Sequence, residues 1–250
     1  MTAHSHKGTA GLLPNDKIRA TPKPIPASVI ERFRRLNDLS STVSDILDKF
    51  GVIGCVGAST LRPTIGDAQI VGRAMTVRNV AQRQDIYLNA KEDNILMNEM
   101  EAIHQSSPGD VLVIQGAPDT SNMGGLVATL CKRAEMVGAV VDGGVRDVGR
   151  SRSIQFPIWS KHVSPITGKF RCVTEEINGP VLVAGLTVEA GDLVIADETG
   201  VCFVPQAIIE DVLAKCEEIH KVENDWDSDF SKGLSIPDLM KKIYPRLRDK

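Results

Sequence analysis

Between Gly124 and Asp147 the chain reads GGLVATLCKRAEMVGAVVDGGVRD, and this order of elements narrows the folds open to it. It predicts a glycine turn, an amphipathic helix over 126–137, a buried strand over 139–142, a second glycine turn at Asp142-Gly143-Gly144, and an Arg146-Asp147 pair. Leu126, Val127, Leu130, Ala134 and Val137 recur at helical spacing on one face, with Lys132, Arg133 and Glu135 opposite. Ala139, Val140 and Val141 are all apolar, as a buried strand requires, and run into Asp142.

The flanking sequence extends this pattern. Residues 1–26 lack periodicity and end in TPKPIP, which predicts an arm, either flexible or laid over a neighbour. A first helix is expected from Ala27, burying Val29, Ile30, Phe33 and Leu36. A second runs through VSDILDKF, with Ser40, Ser41 and Thr42 offered as N-caps and Gly51 as its stop. From Ile53 to Val80 short apolar pieces broken by Gly and Pro read as strands and turns. A helix over 86–104, the strand VLVIQG, and further strands at PIWS, VLVAG, LVIAD and VCFVP follow. A long helix from Gln206 to Trp226 and a tail helix within 234–250 close the chain. The organisation is an arm (1–26), a single α/β domain (27–233) and a tail, with a compact multi-sheet centre in place of regular βαβ units. Asp192 and the Asp197-Glu198 pair fall in turns and are expected to be solvated.

Bulk properties exclude several classes. A net charge of −3 over 250 residues argues against nucleic acid or an anionic membrane as partner. No apolar run approaches the roughly 18 residues of a membrane span, and MTAHSHKGTAGLLPNDK lacks a secretory apolar core. The cysteines Cys55, Cys131, Cys172, Cys202 and Cys216 are odd in number and form no CxxC, which favours a reducing compartment, the cytoplasm, over disulfides or structural zinc. Gly51, Gly54 and Gly57 do not have dinucleotide-fingerprint spacing. His104, His162 and His220 stand outside any HExxH or triad context and are read as structural.

The chemistry concentrates where the sequence began. A helix's first turn leaves N–H groups without partners, and glycines at Gly124 and Gly125 let a ligand approach that backbone, so a carboxylate fits there. The same glycines are also what a tight packing turn uses. Arg146 can hold a carboxylate in bidentate fashion, and Asp147 offers a hard oxygen for Mg²⁺ or Mn²⁺. Alternatively the two form a structural ion pair, or Asp147 caps a helix.

The elements TVSDILDKFG, VGRAMTV, the Gly124 turn, VVDGGVRD, FPIWS and AGDLVIADETGVCFVP resemble, in order and spacing, the RraA-like family. That family includes the class II pyruvate aldolases acting on 4-hydroxy-4-methyl-2-oxoglutarate and 4-carboxy-4-hydroxy-2-oxoadipate. The resemblance covers roughly residues 40–233. It implies a swivelling β/β/α domain with flanking N- and C-terminal helices, assembled as a homotrimer or homohexamer. It further implies a small 2-oxo acid as substrate, cleaved by aldol scission or decarboxylation through a metal-stabilised enolate, with Mg²⁺ or Mn²⁺ as cofactor. On the matching positions, Arg146 holds the substrate and Asp147 the metal. The backbone of Gly124, Gly125, Leu126 and Val127 binds the pyruvyl carboxylate. Glu223, ten residues before Gly233, reaches the metal through water from a neighbouring subunit. From the residues alone, Glu223 sits one turn beyond the apolar stripe Ile209, Val212, Cys216 and Ile219, on a packed face or at a solvated helix end.

Two positions depart from the family pattern. Gly125, 21 residues before Arg146, stands where the aldolases carry an acid, and Arg150 stands where a further acid is expected three residues after Asp147. Asp119, Asp142 and Glu223 are the carboxylates that would compensate. Arg150 and Arg152 would recognise a second carboxylate or form a solvated basic face. The alternative function within the same resemblance is a non-catalytic regulator that binds and inhibits an RNase, needing no metal.

Overall fold

The computed structural model describes residues 9–231 and 233–244. Its strands are β1 (Cys55–Gly57), β2 (Arg62–Pro63), β3 (Ile70–Ala81), β4 (Val111–Gln115), β5 (Ser121–Met123), β6 (Gly138–Val145), β7 (Ile158–Val163), β8 (Cys172–Ile177), β9 (Val181–Val183), β10 (Leu186–Val188), β11 (Leu193–Ala196) and β12 (Gly200–Val204). The helices are α1 (Ala27–Arg34), α2 (Leu39–Lys49), α3 (Ile86–Lys91), α4 (Met100–Gln105), α5 (Gly125–Arg133), α6 (Val148–Ser153), α7 (Ile209–Ser231) and α8 (Ile236–Ile243).

The long strand β3 joins two sheets. Its first residues, Ile70–Arg73, pair antiparallel with β11, which continues to β12 and β1. From Ala74 onward it pairs in parallel with β4, and the parallel order continues through β6 to β7. Alternation along β4 then sets the layers. Leu112 and Ile114 face α4 and α5 in one apolar cluster, whereas Val111 and Val113 pack with Trp159, Val194 and Phe203 between the sheets. On the far side, α1, α2 and α7 cover Leu193, Ile195, Cys202 and Val204. The result is the β/β/α arrangement with flanking helices that the family resemblance implies.

Several local expectations are corrected. The arm, from residue 9 onward, lies over its own domain. Ala10 and Leu12 donate N–H bonds to the buried carboxylate of Glu101, Ile18 bridges Ile177, and Arg73 donates to the carbonyl of Pro22. Arg73 also forms a buried two-pronged pair with Asp110 at 2.9 and 2.7 Å. The helix α2 starts at Leu39, and none of the serines or threonine caps it through its own side chain. Instead Asp197 reaches across, accepting from the Ser40 N–H and hydroxyl. Asp197 is thus a tertiary cap and not a solvated turn residue. Asp192 is buried too, accepting N–H bonds from Glu189 and Gln206, and burial raises its pKa.

The expected helix over 86–104 is two short helices. Asp93 takes φ +54, a left-handed value that asparagine and aspartate tolerate, and Asn94 N–H closes back on Asn89 O, ending α3. Residues 92–99 then run irregularly to α4. The helix expected to reach 137 ends at Arg133 by the same device, with Glu135 at φ +59 and Met136 N–H on Cys131 O. The second glycine turn is not a turn at all. Strand β6 continues through Asp142, Gly143 and Gly144 to Val145, with its pairing to β7 shifting between Val141 and Gly144. A Cβ at Gly144 would lie 2.5 Å from Thr120 O and 2.7 Å from His162 Nε2, so close packing demands the glycine. The tail forms α8, N-capped by Ser235; residues 245–250 of the expected tail, and residues 1–8 of the arm, lie outside the described residues.

Candidate functional site

A cavity of about 220 Å³ opens where the C-terminal end of β6 meets the N-terminus of α5. Gly124, Gly125, Leu126, Val127, Arg146 and Asp147 all line it, so six sequence-predicted site positions converge. At about 30 Å³ per water molecule, the space suits a small organic acid.

The chain builds this cradle from backbone constraints. Arg146 is fixed by its N–H on Met123 O. Asp147 follows at φ +56 and begins α6 without capping it through its side chain. That left-handed turn directs the carboxylate back to α5, where Oδ2 accepts the Gly125 N–H at 3.0 Å. Residues held in such sparsely populated conformations concentrate at functional sites. The Arg146 Nε lies 3.7 Å from Asp147 Oδ2, with the two side chains 33 % and 51 % exposed. The simple N-cap alternative is therefore replaced: Asp147 caps the helix across the cavity, α5.

The glycines permit this approach. A Cβ at Gly124 would meet Asp147 Oδ2 at 3.0 Å and Arg146 Nε at 3.1 Å. At Gly125 it would meet the Asp147 Cβ and the Arg150 Cγ, both at 3.1 Å. The two departures noted in the sequence are thus one spatial event, because the Arg150 stem occupies the space beside Gly125. Arg150 Nε donates to Thr129 Oγ1 and Arg152 Nε to Thr64 O, so both are engaged with the scaffold.

The first intrahelical bond of α5 is Ala128 N–H to Gly124 O, and the Leu126 and Val127 amides have no acceptor among the described residues. Two free donors at the positive end of a helix, beside a guanidinium, form an anion cradle. Lys169, also on the cavity wall, adds a second cation.

Asp147 Oδ1 is the remaining hard donor. Among the described residues no three His, Cys, Asp or Glu side chains converge on a point. This donor set fits Mg²⁺ or Mn²⁺, which keep most of their waters and take one or two carboxylates together with substrate oxygens. It does not fit a protein cage of zinc type.

Glu223 lies elsewhere in the chain. It is half-buried on α7, the helix that packs on α1 and α2, and it does not line the cavity. Asp119 is exposed at φ +59, and Asp142 pairs with Lys161; neither lines the cavity.

One lining carboxyl was missed by sequence reasoning. Glu99 is 6 % exposed, and its Oε2 has no hydrogen-bond partner. Burial pushes its pKa up to about 7, opposed by its own backbone N–H and by Lys169. A signal was present in ILMNEM, where one acid stands in an apolar run, but the expected helix over 86–104 put it on a generic helical face.

A family model described as RraA-like, Aldolase/RraA, matches residues 40–203. A protein of Halalkalibacterium halodurans, provisionally named a 4-hydroxy-4-methyl-2-oxoglutarate aldolase, is 30 % identical over 191 residues, 76 % of this chain and 82 % of that protein. The 4-hydroxy-4-methyl-2-oxoglutarate aldolase of Thermus thermophilus is 27 % identical over 143 residues, 56 % of this chain and 79 % of its own. Among solved structures, Streptomyces coelicolor RraAS2, described as an unusual member of the RNase ES inhibitor RraA family, superposes with a TM-score of 0.70 at 25 % identity, covering 85 % of this chain and 99 % of its own.

Proposed function

The chain belongs to the RraA-like family, and we propose that it works there as a carbon–carbon lyase, cleaving a small 2-oxo acid to pyruvate by aldol scission or decarboxylation. One observation carries this reading: the free Leu126 and Val127 amides, Arg146 and Asp147 meet at a single small cavity. The aldolase names of the relatives support the reaction class.

The 2-oxo acid's carboxylate lies on the two amides, and the Arg146 guanidinium donates to the 2-oxo oxygen. Cleavage of the C3–C4 bond leaves an electron pair that spreads to that oxygen as an enolate, where preorganised donors act most strongly. Asp147 would hold Mg²⁺ or Mn²⁺, which when bound would supply Lewis-acid polarisation of the 2-oxo acid. Asp147 itself is positioned by the Gly125 N–H and by Arg146. In a homotrimer or homohexamer, Glu223 would join the metal's water shell from a neighbouring subunit. The compartment proposed is the cytoplasm, and among the described residues no helix is long and apolar enough to cross a membrane.

The second reading, a contact inhibitor of an RNase, draws on the description of the Streptomyces coelicolor relative. It has no use for a cradle of free amides. The two separate on incubation with oxaloacetate and with 4-hydroxy-4-methyl-2-oxoglutarate, following pyruvate with Mg²⁺, with Mn²⁺ and with a chelator. Metal-dependent pyruvate release is expected; no turnover of either acid at saturating metal would overturn the lyase reading.

A further inference from the structure

Acid–base work in the cavity needs a group that exchanges a proton with the substrate, and Asp147 is unsuited to it. Its Oδ2 is already taken by the Gly125 N–H at 3.0 Å, with Arg146 Nε at 3.7 Å, and its other oxygen is the one that would hold the metal. Gly125 offers no side chain. The other carboxyl on the wall is Glu99, set on the loop entering α4 among Ile95, Met97 and Met100. A carboxyl this deeply buried ordinarily finds a donor for each oxygen, yet Oε2 has none. The residue lines the cavity, and the partner this occluded oxygen lacks is one that a bound ligand's hydroxyl would supply once the side chain turns toward it.

We propose that Glu99 is the catalytic proton carrier of this cavity, taking the substrate hydroxyl proton and returning it to carbon. The assignment rests on the lyase reading above and deepens it. With a 4-hydroxy-2-oxo acid, the Glu99 carboxylate removes the C4 hydroxyl proton and the O–H electron pair becomes the new carbonyl bond. The C3–C4 bond breaks, and its electrons form the enolate of pyruvate. The Glu99 carboxyl then delivers the same proton to C3, where the C2–C3 π pair makes the C–H bond and the 2-oxo group is restored. With oxaloacetate, CO₂ leaves instead, and the carboxyl, reloaded from water, protonates C3.

The groups around Glu99 support this duty. Lys169 is the cation acting on it, Cys131 and Cys172 feel its charge from α5 and β8, and Arg146 and Asp147 line the same cavity. Burial raises both thiols, so they stay neutral. The carboxyl's own pKa of about 7 leaves both protonation states populated near neutral pH, the condition under which one group serves as base and then acid.

The test is exchange of the pyruvate methyl protons with deuterated solvent, read by NMR, alongside calorimetric binding of oxalate as a mimic of the pyruvate enolate. Glu99→Gln is expected to lower exchange by about 100- to 10,000-fold while oxalate affinity stays within about threefold, less than the loss of a charged hydrogen bond would cause. Glu99→Asp keeps the acid but withdraws it, and is expected to retain partial exchange. Wild-type exchange is expected to change with pH around about 7. Wild-type exchange rates in Glu99→Gln would overturn the proposal, and so would parallel loss of exchange and oxalate binding. Should Glu99→Gln not fold, a wild-type exchange rate flat across that pH range would overturn it. Absence of both exchange and turnover in the wild type would instead remove the lyase reading beneath it.

Discussion

Replacing Glu99 with glutamine is expected to stabilise the protein increasingly as pH rises, although it removes a charge. The native carboxyl titrates at about 7 against an ordinary value of 4.5. Between those values the native state holds a proton that the unfolded chain has released, so wild-type stability falls as pH rises. Each pH unit of difference is worth about 1.4 kcal/mol, giving about 3 kcal/mol lost in total by pH 8. The penalty is the cost of holding an unpartnered carboxylate in an apolar wall. Glutamine has nearly the same shape and no such ionisation. The assay is urea denaturation of both proteins at equal concentration from pH 4.5 to 8, taking the difference at each pH so that Asp192 and other shifted groups cancel. The difference is expected to grow by about 3 kcal/mol in favour of glutamine across that range. A difference that does not change with pH would refute the reasoning, because Glu99 would then be ionised alike in both states.

Three further outcomes follow from the geometry. Gly125→Asp is expected to cost about 1–3 kcal/mol because its Cβ meets Arg150 and Asp147. Arg150→Ala in the same chain removes the Cγ contact but leaves its own Cβ and that of Asp147, and is expected to recover only part of that cost, a coupling that a double-mutant cycle by urea denaturation measures and that strict additivity would disprove. Cys55 shares a hydrogen bond with Cys202 at 3.1 Å, which lowers its pKa to about 7 while Cys202 is raised. Mass spectrometry after brief iodoacetamide treatment of the native protein at pH 7.5 is therefore expected to find Cys55 labelled first; uniform labelling of the cysteines would contradict this. Asp110→Ala leaves the Arg73 guanidinium buried without its carboxylate, and the expected loss is about 3–5 kcal/mol in denaturation. A change below 1 kcal/mol would mean that water or Pro22 carries the charge equally well.

The layers and the cradle were legible in the sequence because they rest on periodicity and glycine placement. Val29, Phe33 and Leu36 are buried together, and the apolar run of VLVIQ splits by alternation between two clusters. The resemblance to a family then attached roles to Arg146 and Asp147, positions that a bare dipeptide leaves ambiguous. What sequence reasoning missed depends on contacts far along the chain. Asp197 caps α2 from 157 residues away, and Gly143 and Gly144 belong to a strand because Asn122, Thr120 and His162 crowd them. Gly125 and Arg150 looked like two separate losses until the backbone placed one against the other. Glu99 was hidden because the expected helix stops at Lys91, with Asp93 left-handed beyond it, and the irregular run that follows brings Ile95, Met97 and Glu99 to the cavity.

The most direct test of the site is pyruvate release from oxaloacetate by the wild type, Arg146→Ala and Asp147→Ala, each checked for an intact fold by circular dichroism. The cradle predicts metal-dependent release by the wild type and a fall of at least about 100-fold in each variant, the usual consequence of removing a group that stabilises developing charge. Release at the wild-type rate in both folded variants would contradict the account.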